Sequence, residues 1–318
     1  MVNDVPEISI VIPLYNEEKV FDKLVQRLTA VVESTPERIE VVLVDDGSRD
    51  LTSARMHALA LNDSRFKAVF LSRNHGHQIA VSAGMAYASA SNAVMIIDGD
   101  LQDPPEMVTD FYAEIREGYD VVYAIREKRK ENVIKRALYW SFYRLLRSIS
   151  DTDLPLDSGD FCMMTRRVNE ILVSMPERSR FVRGLRTWVG FNQTGIAYER
   201  DKRQAGDSKY PMSKLFQLAY DGIFNFSFVP LRVISRLGLY TIVISLVYLS
   251  YVFFKKILGY PLPTGFTALI VAISMFSGVQ LISLGIIGEY ISRIYLQVKN
   301  RPLFIVKKVI VNMQESDG

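Results

Sequence analysis

Asp98 and Asp100 stand one residue apart, directly after the apolar run Val94-Met95-Ile96-Ile97. A run of that kind suits a strand covered on both faces. At its carboxyl end the two carboxylates are hard oxygen ligands of the sort that hold Mg²⁺ or Mn²⁺. An ion held there would bridge a diphosphate and neutralise the charge that builds on a departing nucleoside diphosphate. Gln102 could add a ligand or orient one. Asp-x-Asp pairs also occur in ordinary turns, so it is the position after a buried strand that favours the metal. Asp103-Pro104-Pro105-Glu106 reads as a helix start with proline in the first turn.

Other polar clusters recur at the same kind of place. Asp45 and Asp46 close the run Ile39–Val44, where they could accept hydrogen bonds from a base imide or ribose hydroxyls, or where Asp46 or Ser48 could cap the next helix. Pro13, Tyr15 and Glu17 follow the first apolar run; Tyr15 offers a stacking face, and Asn16 is placed to cap a helix. Arg73, Asn74 and Gly76 follow the third, with Gly76 allowing close backbone approach. Asp157 and Asp160 share a glycine-containing turn, and one of them could act as a base or steer an acceptor. Arg180, Arg183 and Arg186, then Arg203, Ser208 and Lys209, suit an anionic phosphate held by charge-assisted bonds, although a basic juxtamembrane surface reads the same way. His57, His75 and His77 form no ligand cluster, and His75-x-His77 reads as incidental. There is no G-x-G-x-x-G after the first strand and no G-x-x-x-x-G-K-[ST], which removes support for dinucleotide and P-loop chemistry.

The elements that must position these groups alternate. Strands are expected at 7–12, 39–44, 67–71, 93–97 and 119–124. Helices are expected after Asn16, through Val20, Leu24, Leu28 and Val31, and at about 51–61, 77–90 and 105–117. That order predicts an α/β, doubly wound, mostly parallel sheet, whose ligands bind beyond the carboxyl ends of the strands.

Composition divides the 318 residues into two halves that the mean hydropathy of +0.10 averages. Residues 1–210 read as a catalytic domain, 211–232 as amphipathic interface helices, 233–290 as two transmembrane helices (about 237–254 and 264–288), and 291–318 as a tail. Residues 126–136 are strongly basic and lead into aromatic and apolar positions from Ala137 to Leu146, which suits a helix at a lipid interface or core packing. Arg232, Arg236, Arg293, Lys299 and Arg301 flank the spans on one side, against Lys255 and Lys256 in the turn. This bias places the catalytic domain and both termini in the cytoplasm, in keeping with an N-terminus that has no secretory signal. The formal net charge of +3 does not suggest a nucleic-acid binder. The single cysteine, Cys162, excludes an internal disulfide and reads as a buried, inert thiol.

Taken together, Pro13-x-Tyr15-Asn16-Glu17, Val44-Asp45-Asp46-Gly47-Ser48, Arg73-Asn74-x-Gly76, Asp98-x-Asp100-Leu101-Gln102-x-Pro104-Pro105-Glu106, Asp157-x-Gly159 and Arg203-x-x-Gly206-x-Ser208-Lys209-Tyr210 resemble the GT-A-type, family 2 polyisoprenyl-phosphate glycosyltransferases. That group includes dolichol-phosphate mannose synthases and bacterial bactoprenol glucosyltransferases, and the two apolar spans match the latter. The resemblance implies a GT-A (Rossmann-like) domain and metal-dependent, inverting transfer of a hexose, glucose first, from a UDP-sugar to polyprenyl (undecaprenyl) phosphate at the inner face of a bacterial-type plasma membrane. It implies that Asp98, Asp100 and Gln102 handle the metal-bound diphosphate. Pro13, Tyr15, Glu17 and Asp46 would contact the nucleotide, Asp157 would sit at the sugar–acceptor junction, and Arg203, Ser208 and Lys209 would lie near the lipid phosphate. Cys162 departs from the pattern, since relatives often carry a basic residue there. GDP-mannose or an aminosugar nucleotide is an alternative donor. A processive polysaccharide synthase fits less well, because neither Trp140 nor Trp188 ends a Gln-x-x-Arg-Trp segment. A non-catalytic nucleotide-binding scaffold is disfavoured by the full acidic set. Residues 211–230 could pack between protomers of a homo-oligomer, and a flippase of the same pathway is a compatible partner.

Overall fold

The structure, a computed structural model, describes residues 5–126, 158–178, 180–199, 229–259 and 265–317. The chain divides into two compact units, one of residues 1–143, 152–211 and 301–318, the other of residues 144–151 and 212–300.

In the first unit the expected alternation is present. It runs β1 (Ile8–Leu14), α1 (Phe21–Ser34), β2 (Ile39–Asp45), α2 (Thr52–Asn62), β3 (Phe66–Leu71), α3 (His77–Tyr87), β4 (Ala93–Ile96), α4 (Val108–Arg116) and β5 (Val121–Arg126), with a 3₁₀ turn over Pro105–Met107 before α4. Then follow β6 (Ser158–Thr165), α5 (Arg166–Ser174), α6 (Val182–Trp188) and β7 (Gln193–Tyr198). Strands β4, β1, β2 and β3 form a parallel core, with Ile8 opposite Ile39 on one side and Ala93 on the other. Every residue of β1 is buried, because helices cover both faces. On one face Phe21, Leu24, Leu28 and Val31 of α1 join Met56 of α2 and Phe111 of α4 over Ile8, Ile10 and Ile12. Each such side chain contributes about 1.5–3 kcal/mol by leaving water. On the other face α3 lies very close: a Cβ on Gly84 would stand 2.3 Å from Val11 Cγ1 and 2.9 Å from Val44 Cγ2. The small residues Ala80, Ala83 and Gly84 are what allow that approach.

Two features of the sheet depart from the sequence reading. Strand β6 enters antiparallel between β4 and β5, giving the order β7-β5-β6-β4-β1-β2-β3. The segment expected only as a tail supplies two more strands, β8 (Val306–Val311) and β9 (Gln314–Asp317). Strand β8 pairs antiparallel with β3, and β9 with β8. Val309 and Ile310 are buried against the sheet, and Lys308 and His57 both contact Glu315 (3.2 and 2.7 Å).

The second unit contains α7 (Val229–Ile257) and α8 (Phe266–Val298), both long and apolar enough to cross a membrane. Each is longer than the expected span. Glu289, expected to end the second, instead pairs with Arg293 one turn on (2.9 Å), and the helix continues. Large apolar side chains point outward, among them Ile244, Val247, Leu281 and Ile282.

Candidate active site

Strand register brings two polar rims side by side. Leu14 of β1 lies opposite Asp45 of β2, so the residues that follow each strand leave the sheet together. The Asp46 N–H donates to Leu14 O (2.9 Å), Asn16 N–H to Ser48 Oγ (3.0 Å), Arg49 N–H to Asn16 Oδ1 (2.8 Å) and Glu17 N–H to Thr52 Oγ1 (2.9 Å). Asn16, at φ +56°, therefore clamps the loop after β2 and does not cap α1. Neither Asp46 nor Ser48 caps α2, whose first N–H, that of Thr52, donates to Asp50 Oδ1 (3.0 Å). Asp46 accepts the His75 and Gly76 N–H groups (2.7 and 2.9 Å), and Asp45 Oδ1 accepts that of Ser48 (2.9 Å). Both acids are buried. Burial raises the Asp46 carboxyl above its usual range, against the opposing pull of those two bonds.

Gly47 seals this arrangement. It sits at φ +71°, and a Cβ there would be 2.6 Å from the Asn74 nitrogen. Around the rim, Pro13 is buried, Glu17 half-buried, Tyr15 and Asn74 exposed, and Gly76 half-buried at φ +96°, immediately before α3. Tyr15 thus keeps an open face, and Asp45 and Asp46 brace two loops against each other.

The acid pair leaves the sheet beside β1. Ile97 N–H donates to Val11 O (3.1 Å). A Cβ on Gly99 would meet Leu14 Cδ2 at 2.3 Å and Pro13 O at 3.2 Å, so the Asp98-Gly99-Asp100 turn lies directly on the end of β1. Asp100 Oδ1 accepts the Gln102 N–H (3.1 Å), around a Leu101 held at φ +61°. The Asp98 side chain is 29% exposed, and Asp100 and Gln102 are half-buried. Asp103 accepts from the Tyr198 hydroxyl, and Glu106 forms a two-point ion pair with Arg27 (2.6 and 2.9 Å), which fits their reading as structural.

Sequence reasoning passed over His77. Its Nε2 stands 3.6 Å from Asp98 Oδ1 and 3.5 Å from Asp160 Oδ2. Asp160 is also held by Gln78 Nε2 (2.7 Å) and lies 3.6 Å from Arg183 Nε. Gln78 Oε1 in turn accepts the N–H of Val182, the first residue of α6 (2.8 Å). Burial opposes charge on His77, but bonding to Asp160 and the charges of Asp98, Asp160 and Asp46 outweigh it and raise its pKa to about 9. Burial lifts Asp98 to about 6 despite His77, with Asp103, Asp160 and Asp100 adding to the rise. Asp160 is buried too, yet His77, Arg183 and Arg186 hold it well below the usual carboxylate range. Cys162 is a buried thiol, raised by burial, as expected of an inert one. The only sequence signal for His77 was its place in the first helical turn after a strand end.

Among the described residues no three His, Cys, Asp or Glu side chains converge on a closed metal cage. The donor chemistry is that of an open site: carboxylates in a crowded acidic rim and an amide, all oxygen ligands, suited to a hard cation that takes its remaining ligands from a diphosphate. Asp157, Arg203, Ser208 and Lys209, the basic stretch from 127 and the segment 211–228 lie outside the described residues.

Residues 9–172 match Glycosyl transferase family 2, and residues 229–294 match the GtrB C-terminal hairpin. The chain belongs to glycosyl transferase family 2. It is a glycosyltransferase, and its sheet is the Rossmann-like GT-A arrangement. Family 2 relatives align almost end to end. The Uncharacterized glycosyltransferase YkcC of Bacillus subtilis is 46% identical over 301 residues, covering 94% of this chain and 93% of that one. The SfII prophage-derived bactoprenol glucosyl transferase of Shigella flexneri is 38% identical over 304 residues, covering 95% and 98%. Among solved structures, S. aureus TarS 1-349 superposes with a TM-score of 0.45 at 18% identity, covering 69% of this chain and 66% of that one.

Proposed function

We propose that this chain transfers glucose from UDP-glucose to a polyprenyl phosphate at a membrane surface, with inversion at the anomeric carbon. The observation that carries the reading is the near end-to-end likeness to a bactoprenol glucosyl transferase. The acidic rim and the two apolar helices agree with it in chemistry.

In this reading Asp98, Asp100 and Gln102 hold Mg²⁺ or Mn²⁺, which when bound supplies a counter-charge for the leaving diphosphate. Tyr15 stacks on the base, while Asp45 and Asp46 fix the two loops that form its walls. Glu17, Asn74 and Gly76 border the same nucleotide. Arg203, Ser208 and Lys209 receive the acceptor phosphate, and Asp157 orients it. A phosphate is already anionic near neutral pH, so positioning and charge complementarity matter more than proton abstraction. Strands β1 and β8 belong to one folded unit on either side of the helical hairpin. That agrees with an even number of crossings and, by the distribution of Arg and Lys, with a cytoplasmic catalytic unit in a bacterial-type plasma membrane.

The test is a donor panel. Purified protein receives labelled UDP-glucose, UDP-galactose, UDP-N-acetylglucosamine or GDP-mannose together with undecaprenyl phosphate, and the lipid is extracted. The expected result is one labelled lipid carrying a single sugar, from UDP-glucose, lost on adding EDTA and restored by Mn²⁺. Label from a different donor corrects the sugar. A product ladder, or no lipid-linked label from any donor, overturns the reaction.

A further inference from the structure

We propose that His77 is a positioning residue that braces the Asp98 carboxylate, anchored on Asp160. The inference rests on the metal-dependent reading above and deepens it.

Two observations carry it. The imidazole stands within ion-pair distance of both carboxylates, 3.6 Å from Asp98 and 3.5 Å from Asp160, so a single side chain spans them. Its far anchor is rigid: Asp160 is tied to Gln78 at 2.7 Å, and Gln78 is tied through its other amide atom to the start of α6 at 2.8 Å.

Asp98 stands in a neighbourhood of like charge, with Asp100, Asp103 and Asp160 around it. The His77 contact ties this carboxylate to the Asp160 anchor. One Asp98 oxygen, Oδ1, is engaged in this way. Groups that orient metal-binding side chains in this way typically account for about ten- to a hundredfold in affinity or activity.

The experiment measures Mn²⁺ binding to the full chain in detergent with saturating UDP, by the loss of the free-ion EPR signal, together with melting temperature. His77→Ala is expected to weaken Mn²⁺ binding by about ten- to a hundredfold without a matching fall in melting temperature. His77→Gln places an amide nitrogen near the position of Nε2 and is expected to recover most of that loss. Asp160→Asn, which loosens the anchor, is expected to shift binding in the same direction by a smaller factor. If His77→Ala does not fold, His77→Gln and Asp160→Asn decide. Unchanged or tighter Mn²⁺ binding in His77→Ala, or in Asp160→Asn where the alanine variant does not fold, overturns the brace, as does His77→Gln binding as weakly as the alanine variant or, without that variant, far more weakly than wild type. Wild-type protein that binds no Mn²⁺ with UDP sinks the metal reading itself, so the two failures are distinguishable.

Discussion

The strand-end rim and the helical hairpin are built by opposite rules. At the rim, single atoms decide. Gly47 and Gly99 each stand where one added carbon would come within 3 Å of a neighbouring atom. In the hairpin Gly238, Gly278, Gly285 and Gly288 have nothing within 4 Å of an added Cβ. Side chains such as Val247 (65% exposed) and Leu281 (69%) are left largely uncovered by the protein. The rim is specified residue by residue because its partners are other parts of the chain. The hairpin is specified by composition because its partner is a solvent, and apolar helices of this length suit lipid.

The contrast can be broken most severely at Asp100. Asp100→Ala is expected to lower turnover by at least about a hundredfold, the scale of losing a preorganised electrostatic group, with an unchanged melting temperature. Near-normal turnover in a purified assay would mean that the acid pair is ordinary turn structure. In the hairpin identity matters less than polarity. Val247→Asp is expected to hinder membrane integration, at a cost of about 2.5–3.5 kcal/mol for a charge at mid-helix, whereas Val247→Leu is neutral. Fractionation of membranes separates the two, and equal recovery of both variants would remove the lipid as that helix's partner.

A matched glycine pair sharpens the comparison. Gly47→Ala meets backbone at 2.6 Å and a positive φ, so a loss of about 1–3 kcal/mol is expected, along with weaker UDP binding. Gly285→Ala is expected to leave thermal unfolding within error of wild type. The smallest effect lies at the surface. Glu106→Gln breaks the ion pair with Arg27, where Glu106 is 53% exposed, and costs under about 1 kcal/mol. Although burial opposes it, the bond from Arg27 holds the Glu106 carboxyl below its usual range. Its contribution is therefore present above the unfolded value of about 4.3 and fades as pH falls through the lower folded value. Denaturant midpoints of the two proteins should converge in acid; a constant gap would assign the difference to packing.

The core of the fold was legible because it obeys simple periodicities. Apolar runs bounded by polar rim residues located β1 to β4 to within about two residues. The small residues of α3 permit the close packing that Gly84 displays. What was not legible depends on pairing across distance. Nothing in the alternation of β6 says that it lies antiparallel between β4 and β5. Strand β8 carries two lysines and buries only Val309 and Ile310, so it read as polar tail. The placement of the rim acids was legible, since Asp98 and Asp100 follow a buried run directly. That of His77 was not, because its contacts are with two carboxylates that are 21 and 83 positions away in sequence and meet it only once β4 and β6 are adjacent. Asn16 was misassigned for a related reason: an asparagine before a helix reads as a cap until a neighbouring loop supplies a better donor.

Strand β8 has a consequence for biosynthesis. It follows α8 in the chain and covers the outer edge of β3. A ribosome delivers residues in order, so that edge stays bare until both long helices have emerged. Ser72, at the head of the loop that bonds Asp46, receives its backbone partner from Ile305 (2.9 Å) only then. This end of the sheet is thus completed last, after both long apolar helices have been made.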